Sequence, residues 1–456
     1  MLKKISIILF SLLINQEVYT EYIIENSDTL DIFSYQLPSG YTESNHHPVL
    51  VAFHQWGGNQ NSPYSTLFDE EANLRNWIFL SPFGGSSNNY NHQEAQRYVE
   101  LALLFLIENF TVNEKNIYMV GGSMGGASGA IYANNHLNPT KPMVAATASA
   151  SGILDCERRY YEMDGNNSMT EWFGGSPEQV PFEYHRNSAV YFEDLTNSMH
   201  FNLKYTPIYL DFGSTEPHRY HAEDLYNLIQ GYNANVWIDE NSTPGHGYSV
   251  IDEAHACDWL SHFALENNPD TINVNLDEPS RAYWLEAYNQ IEADNFIKLE
   301  AQRCHESGYC IDNLNNSDTL IFHIINDYIP SDIQFYNNQQ NPMITIGITG
   351  ESPLISTISN IEFEPLSNYT IWNNLNQQSN VIYVDISPGD YEISFDYNAD
   401  TNQDGEWDIL DVTLIANFII ENIFPNQIEF MNSDINQNQI LDILDLILII
   451  NIILEN

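Results

Sequence analysis

The sequence has few basic residues. Only 14 of its 456 residues are Lys or Arg, against 62 Asp and Glu, so its formal net charge is −48. Phosphate backbones and anionic membrane surfaces are bound by clustered Lys and Arg side chains. Charged residues make up 17% of the chain, so the acidity reflects missing cations more than excess carboxylates. The composition therefore argues against nucleic acid and anionic membranes as partners.

Long hydrophobic runs are also lacking. At the N terminus an apolar run extends from Ile5 to Ile14, directly after Lys3 and Lys4. Spanning a bilayer takes about 20 apolar residues, whereas a short apolar run after basic residues is typical of a secretory signal peptide. We therefore predict a signal peptide over 1–20, a secreted chain and no transmembrane anchor.

Cysteine is scarce, with four residues in the whole chain. An even number in an exported chain suggests disulfides, and four cysteines allow three pairings. Keeping each bridge within one domain favours Cys156–Cys257 and Cys304–Cys310. Metal binding by cysteine needs tighter clusters with histidine, and none fits.

One glycine-rich segment carries a catalytic motif. Residues 115–130 read KNIYMVGGSMGGASGA, an apolar strand followed by a G-x-S-x-G pattern around Ser123. A serine on a sharp strand-to-helix turn needs glycine two residues away on both sides, because a Cβ there would clash. The helix that follows directs its first N–H groups at a developing oxyanion. Taken alone, the motif also fits a glycine-rich turn without a catalytic role.

The partners of a nucleophilic serine follow downstream in the order acid, then histidine. The segment TPIYLDFGSTEP reads as a strand opening into a loop that presents Glu216, and PGHGY is a glycine-flanked loop around His246. A base on such a loop can reach a serine at the carboxyl edge of the sheet. The alternatives are Asp211 as the acid and His221 or His255 as the base.

A further strand lies upstream, where residues 48–58 read PVLVAFHQWGG and end in His54 and two glycines. With this strand the ordered pieces resemble α/β-hydrolase esterases of the feruloyl esterase, acetyl xylan esterase and polyhydroxybutyrate depolymerase kind. The resemblance covers roughly residues 22–265. It rests on the strings QLPSGY at 36–41, the His54 strand end, Ile117-Tyr118 before Gly121–Gly126, and Gly245-His246-Gly247.

This resemblance implies an α/β-hydrolase domain over 21–268, with a mostly parallel sheet flanked by helices. It implies Ser123 as nucleophile, His246 as base and Glu216 as orienting acid, without a catalytic cofactor. It also implies the backbone N–H groups of Trp56 and Met124 as oxyanion donors.

Two positions depart from the pattern of these esterases. Gln55 stands where they usually have glycine, and Phe212 and Glu216 stand where they usually have His and Asp. Between the acid and the serine, residues 151–203 contain Arg158, Tyr160, Tyr161, Trp172 and Phe173. We expect this segment to roof the site.

The C-terminal region contains an internal repeat with an offset of 34 residues. DILDVTLIANFII at 408–420 corresponds to DILDLILIINIIL at 442–454. Each copy begins within a loop that has oxygen ligands at positions 1, 3, 5 and 12 and a backbone carbonyl at position 7, the pattern of a calcium loop. Asp442, Asp445 and Asn451 interrupt the apolar tail, which argues against a membrane helix.

A pair of such half EF-hands, each followed by a helix, resembles a type I dockerin over 396–456. The resemblance implies two calcium ions, metal-dependent folding and docking to a cohesin on a scaffold or cell-surface protein. The implied ligands are Asp400, Asn402, Asp404, Glu406 (backbone) and Asp411, then Asp434, Asn436, Asn438, Ile440 (backbone) and Asp445. A calcium-stabilised tail without a partner is the alternative.

Between the two regions, after a predicted linker over 269–287, residues 288–395 show short strand-like runs and turn residues. Such spacing predicts a β-sandwich, and the strings QIEADNF, NYTIWNNL and SPGDYEISFDY resemble family 6 carbohydrate-binding modules. The resemblance implies sugar stacking by Trp372 with Tyr369 or Tyr309. It further implies a structural calcium held by Glu292 and Asp294.

Together these segments indicate a secreted serine esterase that removes feruloyl or acetyl groups from plant or algal polysaccharide. A glycan-binding module and a dockerin would hold it near insoluble substrate. A polyester depolymerase or peptidase is the enzymatic alternative. Gln55 and Phe212 leave open a catalytically inactive hydrolase fold that serves in adhesion or as a scaffold component.

Overall fold

The chain divides into two compact units, 1–267 and 268–456. The computed structural model describes residues 16–456 except the segments 166, 240–242, 305–307, 325–331, 338–343, 351–359, 366–368, 374–381, 387–388, 397–400, 403–407, 421, 426, 436–439 and 456. Between 324 and 400 only the backbone of the strands is described. Residues 1–15 of the predicted signal peptide over 1–20 lie outside the described residues. In the described part, no helix has the length and hydropathy needed to span a bilayer.

The first unit is built on one eight-stranded sheet. Its strands are β1 (Tyr19–Glu25), β2 (Asp28–Gln36), β3 (His47–Phe53), β4 (Ile78–Pro82), β5 (Val112–Gly122), β6 (Ala146–Ala150), β7 (Ile208–Asp211) and β8 (Val236–Ile238). Its α-helices are α1 (Phe68–Leu74), α2 (Gln93–Asn109), α3 (Met124–Asn135), α4 (Cys156–Glu162), α5 (Met169–Phe173), α6 (Pro181–Arg186), α7 (Arg219–Ile229) and α8 (Glu253–Leu260).

The strands lie in the order β1-β2-β4-β3-β5-β6-β7-β8. The first two pair antiparallel and β2 pairs antiparallel with β4, whereas every pairing from β4 to β8 is parallel. This sheet, with a serine on the turn between β5 and α3, has the α/β-hydrolase fold. The predicted fold class is therefore correct for this unit.

The central strands are apolar on both faces, as expected where helices cover both sides of a parallel sheet. Because successive side chains of a strand point to opposite faces, β3 supplies two separate cores. Val49, Val51 and Phe53 belong to one cluster of buried residues, and Leu50 and Ala52 belong to the other. This packing fixes the carboxyl ends of β3 and β5, which carry the residues of the site.

The prediction of a Cys156–Cys257 disulfide is wrong. Both cysteines are free and buried. Cys156 packs with residues of the segment 151–203, whereas Cys257 of α8 packs under the sheet, so they belong to different clusters. Burial raises the pKa of the Cys156 thiol to about 12, which makes it inert. The Cys304–Cys310 bridge forms as predicted.

In the second unit the strands form two six-stranded sheets, ordered β10-β11-β14-β16-β19-β18 and β17-β20-β15-β13-β12-β9. The strands are β9 (Thr271–Leu276), β10 (Arg281–Ala282), β11 (Leu285–Ala287), β12 (Ile297–Cys304), β13 (Gly308–Asn315), β14 (Thr319–Ile324), β15 (Asp332–Asn337), β16 (Ile344–Gly350), β17 (Asn360–Pro365), β18 (Tyr369–Asn373), β19 (Ile382–Ile386) and β20 (Gly389–Asp396). That the two sheets stack as a sandwich stays a prediction.

The predicted linker over 269–287 is wrong, because these residues contain β9, β10 and β11. Strand β9 pairs with β12, and β11 pairs with β14. The fully buried Trp284, between β10 and β11, donates from its indole N–H to the carbonyl of Pro269 at 2.7 Å. Most residues of the segment are buried, including the consecutive runs 274–277 and 281–285.

The C-terminal repeat folds with the same local contacts in both copies. Its helices are α9 (Ile409–Ile419), α10 (Gln427–Ser433) and α11 (Ile443–Glu455). The N–H of Asp408 donates to the Asp411 carboxylate at 3.0 Å, and the N–H of Asp442 donates to the Asp445 carboxylate at the same distance. Ile415 of α9 and Ile449 of α11 are fully buried in one cluster. The 34-residue repeat in the sequence therefore corresponds to a repeat in the structure.

Candidate active site

Ser123 lies on the sharp turn between β5 and α3. Its backbone has φ 56° and ψ −120°, a conformation that costs a non-glycine residue about 1–3 kcal/mol and that clusters at functional sites. A Cβ at Gly121 would lie 2.0 Å from the carbonyl oxygen of Gly125. A Cβ at Gly125 would lie 2.5 Å from the carbonyl oxygen of His54. Both positions therefore need glycine, as the motif predicts.

The structure brings the three predicted catalytic side chains together. His246 Nε2 lies 2.7 Å from Ser123 Oγ, and its Nδ1 lies 2.5 Å from Glu216 Oε2. The His246 side chain is 43% exposed, whereas that of Glu216 is 6% exposed. A buried acid, a half-exposed base and a serine in one line have the geometry of a hydrolytic triad.

The surroundings of Glu216 keep it ionised. Burial raises its pKa, but the contact with His246, the nearby Ser151 hydroxyl and the hydrogen bond from the Gly213 N–H outweigh this and lower the pKa below its usual value. The Gly213 N–H donates to the second carboxylate oxygen, Oε1, at 2.8 Å. The carboxylate is thus held at both oxygens, so it can orient His246 and stabilise its imidazolium.

The alternative acid, Asp211, is not in contact with the base. It lies at the end of β7, nearly fully buried, and accepts the N–H of Phe212 at 2.7 Å. Burial raises its pKa to about 7, with the charges of Asp239 and Glu216 acting in the same direction. The side chain of Phe212, one of the two positions that depart from the esterase pattern, is buried in the main core.

The alternative bases, His221 and His255, make other contacts in the fold. His221 of α7 is fully buried, and its Nδ1 accepts the N–H of Asp155 at 3.2 Å. His255 of α8 packs edge-on against the ring of Trp237, with 5.2 Å between ring centroids. Neither ring contacts Ser123 or Glu216.

The predicted oxyanion donors flank Ser123 from two directions. Met124 is the first residue of α3, and Trp56 lies three residues beyond the end of β3. The Ser123 N–H is engaged with the carbonyl of Ala150 at 2.8 Å, so it is not a donor to substrate. Among the described hydrogen bonds, none uses the N–H groups of Trp56 and Met124, so both can donate to an oxyanion.

Gln55 lies between the turn that carries Ser123 and the loop that carries His246. Its amide oxygen accepts the N–H of Tyr248 at 3.3 Å. A Cβ at Gly247 would lie 1.6 Å from this oxygen, and a Cβ at Gly122 would lie 3.1 Å from it. Gln55 therefore turns its side chain toward the loop of His246, and its glycine neighbours make room for the amide.

Two residues next to the oxyanion hole are missed by sequence reasoning. Tyr90 and Asn91 have φ of 44° and 57°. The Tyr90 N–H contacts Met124 Sδ at 3.4 Å, and Asn91 Nδ2 donates to the Met124 carbonyl at 3.3 Å. Both contacts brace the first turn of α3. They lie 33 and 34 residues from Met124, and the only local signal is the Asn-rich string SSNNYN.

A charged cluster beside His246 is also missed. The ring of His218 lies 5.9 Å from that of His246, centroid to centroid, and its Nδ1 lies 3.0 Å from Glu162 Oε2. Burial raises the pKa of Glu162, but its contacts with His218 and His221 lower it far below the usual range. Arg159 also pairs with Glu162 at 3.3 Å, so the cluster is held by ion pairs.

The segment 151–203 packs on the oxyanion side of the site, in keeping with the predicted roof. Met124 is buried in a cluster with residues of this segment, including Ile153, Met169 and Phe173. Trp172 stacks on His92 at 4.4 Å between ring centroids. The Trp56 indole N–H lies 3.5 Å from Ser168 Oγ.

Of the predicted sugar-binding residues of the second unit, Tyr309 is the one whose side chain is described. Tyr309 packs its ring on Trp284 and Phe322, at 5.2 Å from each, a core position that does not favour a sugar platform. Tyr369 and Trp372 lie on β18, where side chains are outside the described part. Glu292 accepts a hydrogen bond from Asn295 at 3.1 Å, and Asp294 has φ 58°.

Part of the predicted calcium-ligand set can be described. The closing residues Asp411 and Asp445 are fully buried, and the second oxygen of Asp411 accepts the N–H of Asn402 at 3.0 Å. Buried carboxylates that draw loop N–H groups inward suit a cation-binding loop. Asp434 and Ile440 are also described, whereas Asp400, Asp404, Glu406, Asn436 and Asn438 are not. Within the described residues, no group of three acidic, His or Cys side chains forms a metal site.

No protein-family model and no curated protein matches the chain. Among solved structures, it is similar to a substrate-bound fluorophosphonate-binding serine hydrolase of Staphylococcus aureus, with 14% identity over 54% of this chain and 98% of that one and a TM-score of 0.41. An S-formylglutathione hydrolase from the same organism shares the identity and coverage at 0.42. A ferulic acid esterase has 14% identity over 54% of this chain and 96% of its own, at 0.40.

Proposed function

We propose that this protein is a secreted serine esterase that removes feruloyl or acetyl groups from plant or algal polysaccharide. The observation that carries the proposal is the hydrogen-bonded series from Glu216 through His246 to Ser123. An inactive scaffold has no need to retain a strained serine, a base and a buried acid in contact. The serine chemistry is therefore favoured over the adhesion alternative.

Each residue has a step in this chemistry. His246 Nε2 takes the proton of Ser123 Oγ as the oxygen attacks the ester carbonyl, and the oxyanion is held by the N–H groups of Trp56 and Met124. His246 then gives the proton to the leaving alcohol, which leaves an acyl-enzyme. Water, deprotonated by His246, releases the acid and restores Ser123.

We also propose that the C-terminal repeat docks on a cohesin-like partner in a calcium-dependent manner. Ile409 and Leu410 at the start of α9 are exposed, and so are their repeat mates Ile443 and Leu444 at the start of α11. Exposed apolar side chains at equivalent places in two copies fit a protein contact surface. Asp411 and Asp445 would hold the two calcium ions, which would order the loops that precede the helices.

Hydrolysis of p-nitrophenyl acetate tests the enzymatic proposal. We expect turnover that is lost, by at least about 10⁴-fold, in Ser123→Ala, together with stoichiometric labelling of the wild type by a fluorophosphonate. Ser261→Ala, at an exposed serine after α8, is the matched control and should be labelled. Equal slow turnover by the wild type and Ser123→Ala would exclude the chemistry.

The acyl group and the docking are tested separately. Methyl ferulate, acetylated xylan, a short polyester and a peptide substrate should separate the esterase proposal from the depolymerase and peptidase alternatives.

For docking, EDTA should abolish binding to a cohesin-bearing partner and excess calcium should restore it. Binding that ignores the chelator would refute calcium-dependent docking without touching the esterase proposal.

A further inference from the structure

A polar groove runs beside the catalytic residues, between the loop of the oxyanion donor and the loop of the base. It encloses about 490 Å³, within the about 300–1,000 Å³ typical of small-molecule sites. One wall is formed by residues 55–66, including Trp56 and Ser65, and the other by Tyr248, Ser249 and Glu253. Tyr248 and Ser249 lie two and three residues after His246, on the loop of the base, so this wall of the groove adjoins the base.

The chemistry of acyl transfer decides which part of an ester lies on this side. The carbonyl oxygen must point at the N–H groups of Trp56 and Met124. The oxygen of the leaving alcohol must come within hydrogen-bond distance of His246 Nε2, which protonates it. The alcohol therefore leaves past His246, and the groove is lined by residues of the same loop.

The lining of the groove is rich in hydrogen-bond acceptors. The hydroxyls of Ser65, Thr66 and Ser249 donate their protons to backbone carbonyls at 2.7, 2.6 and 2.9 Å. Each hydroxyl can therefore only accept from a ligand. The Glu253 carboxylate adds further acceptors, and no Lys or Arg is among the lining residues. Such a surface suits a ligand with many O–H donors and repels an anion.

An aromatic side chain completes the groove. Trp56 is 59% exposed, although burial of so large an aromatic ring is normally favourable. Its indole N–H lies 3.5 Å from Ser168 Oγ, which helps to orient the ring. An exposed ring in an acceptor-rich groove offers an apolar face and a polar surround, and a sugar ring has the matching C–H faces and hydroxyl edges.

We propose that this groove is the binding site for the leaving alcohol of the ester, and that the alcohol is a neutral, polyhydroxylated saccharide rather than a small or anionic alcohol. The inference rests on the proposed function, since it names the substrate class of the same catalytic residues. It assigns Ser65, Thr66 and Glu253 to substrate selection, although none of them contacts the triad.

The test blocks the groove and leaves the triad intact. Ser65→Tyr places a large side chain in the groove from an exposed position. Ser261→Tyr is the matched control, because Ser261 is also exposed and also donates to the carbonyl three residues before it, at 2.6 Å. Both variants and the wild type are assayed on p-nitrophenyl acetate and on an acetylated xylo-oligosaccharide. A parallel pair is methyl ferulate and a feruloylated arabinose ester.

We expect Ser65→Tyr to lower kcat/KM for the saccharide ester by about tenfold or more, and to leave the small ester within about twofold. Ser261→Tyr should change neither. Glu253→Gln, which retains the shape of the side chain, should raise KM for the saccharide ester by about threefold or more with kcat unchanged. This variant tests the groove even if Ser65→Tyr does not fold.

Equal effects on both esters, or no effect on either, would overturn the groove assignment. A wild type that hydrolyses p-nitrophenyl acetate but no saccharide ester would refute both the groove assignment and the polysaccharide substrate of the proposed function. In each of these outcomes the Ser123-dependent hydrolysis still stands. Absence of turnover and labelling in the wild type would instead refute the proposed function itself.

Discussion

The contact between Gln55 and Gly247 makes a quantitative prediction about the base. Gly247 has φ +62°, and a Cβ there would lie 1.6 Å from the Gln55 amide oxygen. Ordinary contact needs about 3.5 Å, so Gly247→Ala requires a shift of about 2 Å. The amide is enclosed by Gly122 and bound to the Tyr248 N–H, so we expect the loop of His246 to move.

The magnitude follows from the triad. His246 Nε2 lies 2.7 Å from Ser123 Oγ, and a displacement of about 1 Å can cost about 100-fold in rate. We expect Gly247→Ala to lower kcat/KM by about 100-fold. In a Gln55→Ala background the clash is absent and only the strain of positive φ remains, about 1–2 kcal/mol in stability. There we expect a fall of about fivefold.

The assay is a double-mutant cycle on p-nitrophenyl acetate, with active sites counted by fluorophosphonate labelling. The expected coupling is about 20-fold, or about 1.8 kcal/mol. Gly231→Ala is the matched control, since nothing lies within 4 Å of a Cβ there. If Gly247→Ala costs the same in both backgrounds, Gln55 swings away freely and does not connect the two loops.

Three further results are expected. Glu216→Gln should lower kcat by about 10³–10⁴-fold without altering KM, because the base loses its orienting charge; a change below tenfold on active-site-titrated enzyme would point to another acid. Because burial raises the pKa of Asp211 from 3.8 to about 7, its contribution to stability is present at low pH and lost as pH rises through that window. Asp211→Asn should therefore raise Tm more at pH 8 than at pH 5, and an equal shift at both would refute the assignment. Calcium should raise Tm of the C-terminal transition, and Asp411→Asn and Asp445→Asn should each reduce that gain; a calcium response unchanged in both would remove these residues from the ligand set.

Local patterns sufficed where the chemistry depends on backbone geometry. The turn at Ser123 is formed by a few consecutive residues and requires glycines among them. The G-x-S-x-G motif alone therefore predicts this turn. Chain order then identified Glu216 and His246, because both follow strands whose carboxyl ends meet at one edge of the sheet. The 34-residue repeat likewise predicted two helices that begin with the same capping contacts.

Contacts between distant parts of the chain could not be predicted in this way. Asn91 braces Met124, and His218 approaches His246, through packing of loops that carry no shared motif. Cys156 and Cys257 were expected to pair because both lie in one domain, but they are buried in separate clusters. The segment 269–287 was predicted to be a linker, but it contains strands that pair with β12 and β14. Strand pairing between distant segments cannot be inferred from amino-acid composition.

Ser123, His246 and Glu216 as a set, the hydrolase fold of the first unit and the 34-residue repeat were determined by the sequence itself, because residue type and spacing encode turns and periodicity. The direction of the Gln55 side chain and the groove between the two loops were decided only by tertiary structure. Both depend on how closely the ends of β3 and β5 approach the loop of the base, which is a distance across the fold and not along the chain.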